Sequence, residues 1–473
     1  MNAARDREAH VVILGGGPAG VGGAYQLRRR GRARVTLLEQ QSVVGGNAGS
    51  FEIDGLRVDY GSHRLHASCD PEILADISRL LDGDLASYPR HGRIRLRGKW
   101  LHFPLKPLDL LLRLDRGFAL GSARDMVARM LPHRKNGANT FASVLLENLG
   151  PTICNHFYFP YAWKMWGRPP EELSAIQARR RVSAGTFAKL ARRVMKPVGE
   201  GRYYYPKRGY GQISEAYAAA ARAAGADLML GWKVTRLQQP EGETEQWKVF
   251  TEREGEQRII EADYVWSTIP ISLVARMIAP EPPHQVLDAT RQIDYRAMIL
   301  VYLQLDMDQF TKTDAHYFPE AEISLTRLSE PKNYARLSEP RGRTVLCGEL
   351  PCSVTDAVWT MSDAELAKRV VEDMARAGLP LTRPPVSVRV RRLRQAYPIY
   401  QSGYERPLGV LNDWVEKLPR FLSYGRQGLF AHDNTHHALY MAYAAVDCLE
   451  NGAFDENRWN DYRKVFATHV VED

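Results

Sequence analysis

The chain has 473 residues, of which 44% are hydrophobic and 25% are charged, and it carries a formal net charge of +9. This length is greater than one hydrophobic core normally supports, so we predict two lobes; the composition is ordinary for a soluble globular protein. No apolar run approaches the ~20 residues of a spanning helix, and no nucleic-acid recognition motif accompanies the charge. We therefore predict neither a transmembrane segment nor a nucleic-acid partner, and the sequence defines no oligomeric state.

The five cysteines form no CxxC pair and no metal-binding spacing with histidine. This odd count, with an N-terminus that lacks an apolar signal region, predicts a reducing, cytoplasmic environment. Arginines cluster at 28–30, 179–181 and 391–394. Each cluster fits either a solvated face or part of a pocket for an anionic substrate such as a diphosphate.

A buried strand and a glycine-rich turn open the chain. His10–Leu14 is apolar enough for a parallel strand that is covered on both faces. It runs into Gly15-Gly16-Gly17-Pro18-Ala19-Gly20, which is a G-x-G-x-x-G motif. In this motif Gly15 makes the tight turn, Gly17 lets the backbone approach a pyrophosphate, and Gly20 allows close packing of helix on strand.

The next elements complete a dinucleotide-binding unit. Helical spacing from Ala19 to Arg30 would direct the N-terminal amides of a helix at the phosphates. A second strand, Arg34 to Leu38, ends at Glu39, roughly 20 residues beyond the glycines, where a carboxylate can accept hydrogen bonds from ribose hydroxyls. The unit predicts a bound dinucleotide but does not separate NAD from FAD.

The residues that follow favour FAD. Gly45-Gly46-Asn47 precedes a predicted hairpin around an Asp54-Gly55 turn, and Asp59-Tyr60-Gly61-Ser62-His63 comes next. This order resembles the flavoproteins that include protoporphyrinogen oxidase, amine oxidases, phytoene desaturases and UDP-galactopyranose mutase. The resemblance implies that Gly45, Gly46 and Asn47 contact FAD. It also places His63 close to the isoalloxazine ring, in a structural or a catalytic role.

The middle of the chain offers candidate substrate contacts. Arg93, Arg95 and Arg97 alternate with apolar residues, which predicts a strand with three cations on one face and a hairpin turn at Arg97-Gly98-Lys99. This stripe, with Arg95 at its centre, is a candidate phosphate site, although an exposed strand face explains it as well.

Two aromatic segments follow, Phe157–Gly167 and Tyr203–Gly211. Aromatic residues at helical spacing are usually core residues. Both segments also resemble the bacterial branch of the group that is similar to UDP-galactopyranose mutase. That resemblance implies a sugar or nucleotide site whose substrate is contacted by Tyr161, Trp166, Tyr205 and Arg208.

In the same resemblance, later segments return to the flavin lobe. Val234 matches a valine that contacts FAD through its backbone, and Thr268 lies in a second adenosine-side segment. Phe421–Gly428 resembles the closing motif, which implies backbone donors at Gly425 and Gly428 and places Arg426 near the pyrophosphate or flavin. A helix from about Thr435 to Leu449 would aim its N-terminus at the flavin pyrimidine ring. The remaining FAD contacts that we predict are Ala19, Gln40, Asn434 and His436.

The sequence departs from these relatives at His432-Asp433-Asn434-Thr435-His436-His437. Mutase-like members show Asn-Asn-x-Asp-His there, so Asp433 replaces an asparagine and His436 replaces the acid. We predict His436, His437 and His63 as catalytic residues, with His436 as an added general acid or base near neutral pH. A metal site from His432, His436 and His437 is an alternative that the flavin context disfavours, so we predict no metal.

The predicted fold is a two-lobed α/β flavoprotein. Its Rossmann-type FAD domain would be discontinuous, over 1–89, 205–270 and 409–473, with an α+β substrate domain over 90–204 and 271–408. The predicted function is FAD-dependent oxidation or reduction of an anionic, sugar-containing or nucleotide-linked small molecule. The alternatives are a redox-neutral mutase that works on reduced flavin, with NAD(P)H as a candidate reductant, and an amine or isoprenoid oxidase or desaturase.

Overall fold

The computed structural model describes residues 8–103, 113–130, 139–181, 201–242 and 244–471. Its strands, in chain order, are β1 His10–Leu14, β2 Arg34–Glu39, β3 Ser50–Ile53, β4 Leu56–Asp59, β5 Leu65–His66, β6 Leu85–Pro89, β7 Gly92–Leu96, β8 Lys99–Phe103, β9 Arg202–Pro206, β10 Asp227–Leu230, β11 Lys233–Gln238, β12 Trp247–Arg253, β13 Glu256–Ala262, β14 Tyr264–Ser267, β15 Ile278–Ala279, β16 Asp294–Leu305, β17 Ala315–Tyr317, β18 Arg327–Ser329, β19 Thr344–Cys352, β20 Ser387–Ile399, β21 Phe421–Ser423, β22 Leu449–Glu450 and β23 Ala453–Phe454. The longer helices are α1 Pro18–Arg29, α2 Pro71–Leu80, α3 Arg116–Met130, α4 Phe141–Leu149, α5 Phe159–Trp166, α6 Ala175–Arg181, α7 Gln212–Ala223, α8 His284–Gln292, α9 Asp363–Arg376, α10 Glu405–Val415, α11 Thr435–Asp447 and α12 Glu456–Phe466.

A five-stranded parallel sheet, in the order β10-β2-β1-β14-β21, is the centre of the first lobe. All residues of the middle strand β1 are buried, which explains why its sequence is apolar on both faces. Because the strands are parallel, their carboxyl ends lie at one edge of the sheet. Gly15, Glu39 and Thr268 therefore converge at that edge, although they come from distant parts of the sequence.

Helices cover one face of this sheet, and a small sheet covers the other. α1 packs against α7 and α11 around one core. Glycine makes the close approach in α1 possible, since a Cβ on Gly22 would lie 2.8 Å from Leu439 Cδ2. On the opposite face, the sheet β13-β12-β11-β15 and helices α8 and α10 enclose a second core with Val12 and Val265.

A seven-stranded sheet, in the order β20-β16-β19-β18-β17-β7-β8, forms the second lobe. Its long strands β16 and β20 pair antiparallel over most of their length. Ile94 and Leu96 of β7 are buried while Arg93 and Arg95 face the other side, as their alternation predicts. Arg97 and Gly98 both have positive φ angles, of 52° and 72°, in the turn between β7 and β8, so the predicted hairpin is confirmed.

Other local predictions are also confirmed. The predicted first strand is β1, the predicted 294–305 strand is β16, and the Asp54-Gly55 turn joins β3 to β4 with positive φ at both residues. The two-lobed α/β fold class is confirmed as well. Within the described residues, no helix combines the length and the apolar character needed to cross a membrane.

The packing differs from the predicted domain division at two places. The boundary at 204/205 falls inside β9, which pairs with β5 and β6 on the first-lobe side. Residues 271–293, which we predicted in the substrate domain, pack through Ile271, Val286 and Ile293 into the core beneath the parallel sheet. Local sequence pattern places turns well, but it does not show which core a helix joins, and this accounts for both differences.

Candidate functional site

A cleft of about 500 Å³ opens at the carboxyl edge of the parallel sheet and extends toward β20 of the second lobe. This volume is in the range of small-molecule sites. Eleven of the predicted cofactor-binding residues line it, namely Gly15, Gly17, Ala19, Glu39, Gln40, Gly46, Asn47, His63, Thr268, Arg426 and Asn434. The structure thus brings together residues from five separate segments of the chain.

The turn between β1 and α1 forms one wall of the cleft. Gly15 has a φ of 100°, and a Cβ there would lie 2.6 Å from Thr268 Oγ1. Gly17 is the N-cap of α1, and no side chain in the described part of the chain caps the amides that follow it. A Cβ on Gly17 would meet only Gly46 Cα, at 3.9 Å. Uncapped amides, the helix dipole and open space together fit a phosphate group.

Glu39 ends β2 beside this turn. Its Oε2 accepts a hydrogen bond from Gly16 N at 2.7 Å, and its Oε1 accepts one from Gln41 N at 2.8 Å. Burial raises the pKa of this carboxyl group, while the backbone donors lower it. The carboxylate is therefore fixed at the sheet edge, where a carboxylate can accept from ribose hydroxyls.

The Gly45-Gly46-Asn47 segment crosses the cleft opposite Gly17. Gly45 N donates to Gly16 O at 2.8 Å, which ties the segment to the first turn. Gly45 itself does not line the cleft; its φ of 119° lets the chain turn, and a Cβ there would lie 2.7 Å from Gly49 Cα. Asn47 Nδ2 donates to Gln395 O at 3.0 Å, so this segment also contacts the second lobe.

Asp59 organises the loop that carries His63. Its buried carboxylate accepts from Ser50 Oγ at 2.6 Å, from Tyr210 N at 2.8 Å and from Tyr205 OH at 2.5 Å. His63 Nε2 contacts the carbonyl oxygens of Asn47 and Tyr60 at 3.0 and 2.9 Å. Carbonyl oxygens only accept hydrogen bonds, so Nε2 carries the hydrogen. Nδ1 is then the basic nitrogen of the neutral ring. Burial lowers the pKa of His63, so the neutral ring is favoured.

Other predicted cofactor residues support the cleft from outside its lining. Gly20 belongs to α1, and a Cβ on it would overlap Gly15 O. Val234 packs against the core under the parallel sheet. Gly425 has a φ of 80°, and a Cβ there would lie 2.7 Å from Ala19 Cβ. These residues shape the backbone next to the cleft, and a direct contact with the cofactor stays a prediction for each.

The surroundings of the two neighbouring histidines do not favour the catalytic roles that we predict for them. His436 is 4% exposed, and its ring nitrogens have no hydrogen-bond partner among the described residues. Burial lowers its pKa to about 3 and that of His437 to about 4. His437 Nδ1 accepts from Asn434 N at 3.3 Å, so it caps α11. Neither ring lines the cleft, and proton transfer near neutral pH is a poor match to either pKa.

Asp433, the other departure from the mutase-like pattern, does line the cleft. Its Oδ2 lies 3.3 Å from His469 Nδ1, and its Oδ1 lies 3.9 Å from Arg180 Nη1. Burial raises its pKa, but His469, His437 and Arg180 lower it further, so the net shift is downward. The group is therefore a buried carboxylate that is held ionised by its neighbours.

Asp433, His437 and His469 also bring metal-ligand types of atoms within 4.8 Å of one another. The guanidinium of Arg180 beside Asp433 competes with a cation for this carboxylate. The alternative set that includes His432 is not assembled, because His432 Nε2 is held at 2.7 Å from Pro398 O. The arrangement fits an ion-pair network better than a metal centre.

None of the five predicted substrate contacts lines the cleft. Arg95 forms an ion pair with Glu320. Arg208 is 72% exposed and pairs with Asp84. The hydroxyl group of Tyr205 donates a hydrogen bond to Asp59. Trp166 is buried against Phe141, and Tyr161 packs in the same cluster. The packing therefore supports the interpretation of the aromatic segments as core residues. We correct the predicted substrate site accordingly.

Other arginine side chains line the cleft instead: Arg64, Arg90, Arg327, Arg391, Arg392 and Arg394, with Arg426. We call these seven residues the arginine wall. The 391–394 cluster was visible in the sequence as a candidate anion pocket, and β20 places it there. Arg64 directly follows the Asp59 to His63 motif, which was the available signal for it. Arg327 has no sequence signal, because β17, β18 and β19 bring it in from a distance.

These features agree with the binding of FAD. The uncapped start of α1 and the glycine turns would hold the diphosphate, Glu39 the adenosine ribose, and the segment from Asn47 to His63 the flavin side. When bound, FAD supplies reversible two-electron transfer. The chain itself supplies the uncapped amides at the start of α1, a neutral His63 and a strongly cationic wall.

Comparison with known proteins supports a flavin cofactor. A family model described as flavin-containing amine oxidoreductase matches residues 18–443. The fold matches that of reduced UDP-galactopyranose mutase with a TM-score of 0.82 and 20% identity, covering 98% of this chain and 100% of that one. A protein from Exiguobacterium sp. 255-15 assigned as a protoporphyrinogen oxidase matches with a TM-score of 0.73 and 20% identity, over 93% of this chain and 98% of that one.

One curated relative, phytoene dehydrogenase of Streptomyces griseus, is 48% identical over 52 residues. The match covers 11% of this chain and only 10% of that protein. The family match, in contrast, extends over most of the chain, and the resemblance to this flavoprotein group is confirmed. The chain belongs to the flavin-containing amine oxidoreductase family.

Proposed function

We propose that the protein is an FAD-dependent oxidoreductase that acts on an anionic small molecule, either sugar-containing or nucleotide-linked. The observation that carries this proposal is the arginine wall, which shares one cleft with the dinucleotide-binding turn. Two carboxylates, Glu39 and Asp433, also line the cleft, and Arg327 is paired with Glu349. The positive charge exceeds what these groups and the diphosphate of FAD compensate.

The same wall argues against the other chemistries of the family. A protonated amine would be repelled by several guanidinium groups in a partly enclosed cleft. An isoprenoid would displace water from the guanidinium groups without accepting a hydrogen bond from them. The free energy of this desolvation opposes its binding. An anion gains charge-assisted hydrogen bonds from the same side chains. The cleft therefore favours phosphate or carboxylate groups on the substrate.

A redox-neutral mutase on reduced flavin is the second candidate. The full-length fold match to UDP-galactopyranose mutase and the cationic wall favour it. An oxidoreductase changes the redox state of its substrate in each turnover, and a mutase does not. The two candidates therefore differ in electron balance, with NAD(P)H proposed only as a reductant that primes the mutase.

Anaerobic absorbance spectroscopy of the purified protein tests these proposals. Nucleotide sugars are added with and without NAD(P)H, and the oxidised-flavin band is followed. Stoichiometric bleaching by one substrate, or reoxidation of the reduced flavin by it, supports the oxidoreductase. Isomerisation only after reduction, with no net use of reductant, supports the mutase. Peroxide formation with amines and no response to anions would contradict both.

We also propose a reducing, cytoplasmic location. All five cysteines lie in the described part of the chain, where they are buried and form no disulfide, and thiols of this kind persist where glutathione and thioredoxin keep them reduced.

A further inference from the structure

One member of the arginine wall, Arg64, has no acidic partner among the described residues. The guanidinium carbon of Arg64 lies 5.3 Å from the ring centroid of Tyr203 and 5.1 Å from that of Tyr334. Nη1 donates a long hydrogen bond, of 3.4 Å, to Tyr317 OH. Nε and Nη2 are buried, and neither has a hydrogen-bond partner among the described residues. Two aromatic rings thus fix the plane of a cation whose remaining edge is unpaired.

The neighbouring Arg327 shows what such an edge binds. Its Nε donates to Glu349 Oε1 at 2.9 Å and its Nη2 donates to Glu349 Oε2 at 2.8 Å. This is the bidentate geometry in which an arginine binds a carboxylate or a phosphate. Nε and Nη2 are also the two atoms of Arg64 without partners. Arg64 therefore has the same pair of donors as Arg327, which we call its fork, but no carboxylate of the described residues binds to it.

Nearby acids do not complete the pair. Asp314 acts on Arg64 electrostatically, but no ion pair joins the two side chains in the described part of the chain. Asp314 Oδ2 accepts instead from His91 N at 2.8 Å. The Glu349 carboxylate accepts from Arg327 and from Ser62 N. An unpaired buried cation is costly to a fold, so its presence on the wall of a binding cleft calls for an external anion.

We propose that the Nε–Nη2 edge of Arg64 is the anchor for one oxyanion, a carboxylate or a phosphate, of the molecule that binds in the cleft. The inference rests on the proposed function and narrows its substrate class. The substrate then carries an oxyanion within reach of the Asp59 to His63 loop. Tyr203 and Tyr334 hold the guanidinium group of Arg64 in the orientation that binds this oxyanion. A neutral sugar or an amine would leave the edge unpaired.

The test compares Arg64→Met and Arg64→Lys with the wild type, as purified with FAD. Inorganic phosphate and acetate are the probes, sodium chloride at equal ionic strength is the reference, and the readouts are the flavin spectrum and the thermal midpoint. Arg79→Met is the matched control, because Arg79 also lies over a tyrosine ring but is paired with Asp76 outside the cleft. Flavin content is measured separately for each variant.

In the wild type we expect a saturable response to phosphate, to acetate or to both. Arg64→Met should weaken it at least about tenfold, and Arg64→Lys should weaken it less, since the charge stays but the fork is lost. Without anions, Arg64→Met should unfold at the same temperature as the wild type or higher, because it removes an unpaired buried charge. Arg79→Met should respond like the wild type.

A wild-type response that persists in Arg64→Met, or that Arg79→Met loses equally, overturns the anchor. No anion response in the wild type overturns it as well. A preparation without flavin contradicts the proposed function but still decides this inference, because the rise in thermal midpoint with phosphate is read on the protein alone.

Discussion

His436 shows how burial changes the chemistry of a side chain. The sequence places it at a helix N-terminus in a flavoprotein motif, which indicates an acid or base. Its ring is 4% exposed, 4.1 Å from the ring centroid of His437, and without a hydrogen-bond partner among the described residues. Desolvation and the nearby His437, His66 and His469 lower its pKa to about 3, with only Asp433 opposing them. The ring therefore stays neutral over the physiological range.

A depressed histidine pKa destabilises the fold in acid. The ordinary pKa of histidine is 6.5, so the unfolded chain takes up a proton as the pH falls below that value while folded His436 does not. Stability is fully present above pH 6.5 and is lost as the pH falls toward 3. Between pH 7 and about pH 5, this one group accounts for about 2 kcal/mol.

We expect His436→Leu to flatten the pH dependence of the thermal midpoint between pH 7 and 5. The measurement is thermal unfolding in a buffer series at constant ionic strength. His284→Leu is the control, because His284 is exposed at the start of α8. Parallel curves for wild type and His436→Leu would mean that folded His436 takes up a proton as easily as an unfolded one, and the predicted coupling would be wrong.

At the scale of the element, the β1–α1 turn separates two uses of glycine. Gly20 is needed for packing, since its Cβ would overlap Gly15 O. Gly17 has an ordinary φ of −72°, and its Cβ would meet only Gly46 Cα at 3.9 Å. The fold thus tolerates an alanine at 17 but not at 20. If the diphosphate of FAD lies against Gly17, a methyl group at this position should weaken FAD binding and leave the fold unchanged.

We expect Gly17→Ala to fold with a wild-type circular dichroism spectrum and to bind FAD at least about tenfold more weakly. Gly20→Ala should lose soluble, folded protein. FAD affinity is measured by fluorescence titration of deflavinated protein. Gly409→Ala, in α10 with open space around its Cβ position, serves as the control for general effects of glycine replacement on FAD binding. Equal FAD affinity in Gly17→Ala and wild type would remove Gly17 from the diphosphate site.

These elements also show what a sequence can reveal. The β1–α1 turn and the hairpins at Asp54 and Arg97 follow from local rules, because glycine and positive φ angles belong to the turn itself. The arginine wall could be predicted only in part. The 391–394 cluster is visible in sequence, but its position depends on pairing of β20 with β16, a long-range contact with no local signal. Tyr205 was misassigned because aromatic residues for a core and for a binding site have the same pattern.

At the scale of the whole molecule, the cleft is held by ties between distant segments. Gln395 O, in β20, accepts from Asn47 Nδ2 at 3.0 Å and from Gln427 Nε2 at 2.8 Å. The neighbouring Ala396 O accepts from Arg426 Nη2 at 2.8 Å. One strand of the second lobe therefore holds two loops of the first lobe, the one with Asn47 and the one with Arg426 and Gln427. The arginine wall and the dinucleotide turn are held in one geometry by this strand, and neither lobe alone defines the cleft.

The C-terminal residues add a second tie. His469 Nδ1 lies 3.3 Å from Asp433 Oδ2 on the cleft, and Val471 N donates to Arg180 O, at the end of α6, at 2.9 Å. The segment after α12 thus joins the loop before α11 to a helix that packs with α4. His469 also stacks on His437 at 4.2 Å. Loss of this imidazole would leave the buried Asp433 carboxylate with one donor fewer.

We expect His469→Ala to destabilise the protein by about 1–3 kcal/mol, since a buried charged group loses a hydrogen bond. The loss should be local in origin, so amide hydrogen exchange should rise most in 175–181 and around Asp433, with β1 unchanged. The measurements are thermal unfolding and hydrogen exchange read by mass spectrometry. Lys464→Ala, in α12 just before this segment, is the control, because its side chain is 77% exposed. Uniform exchange in all peptides, or an effect of Lys464→Ala as large as that of His469→Ala, would show that the C-terminal segment does not tie the cleft to α6.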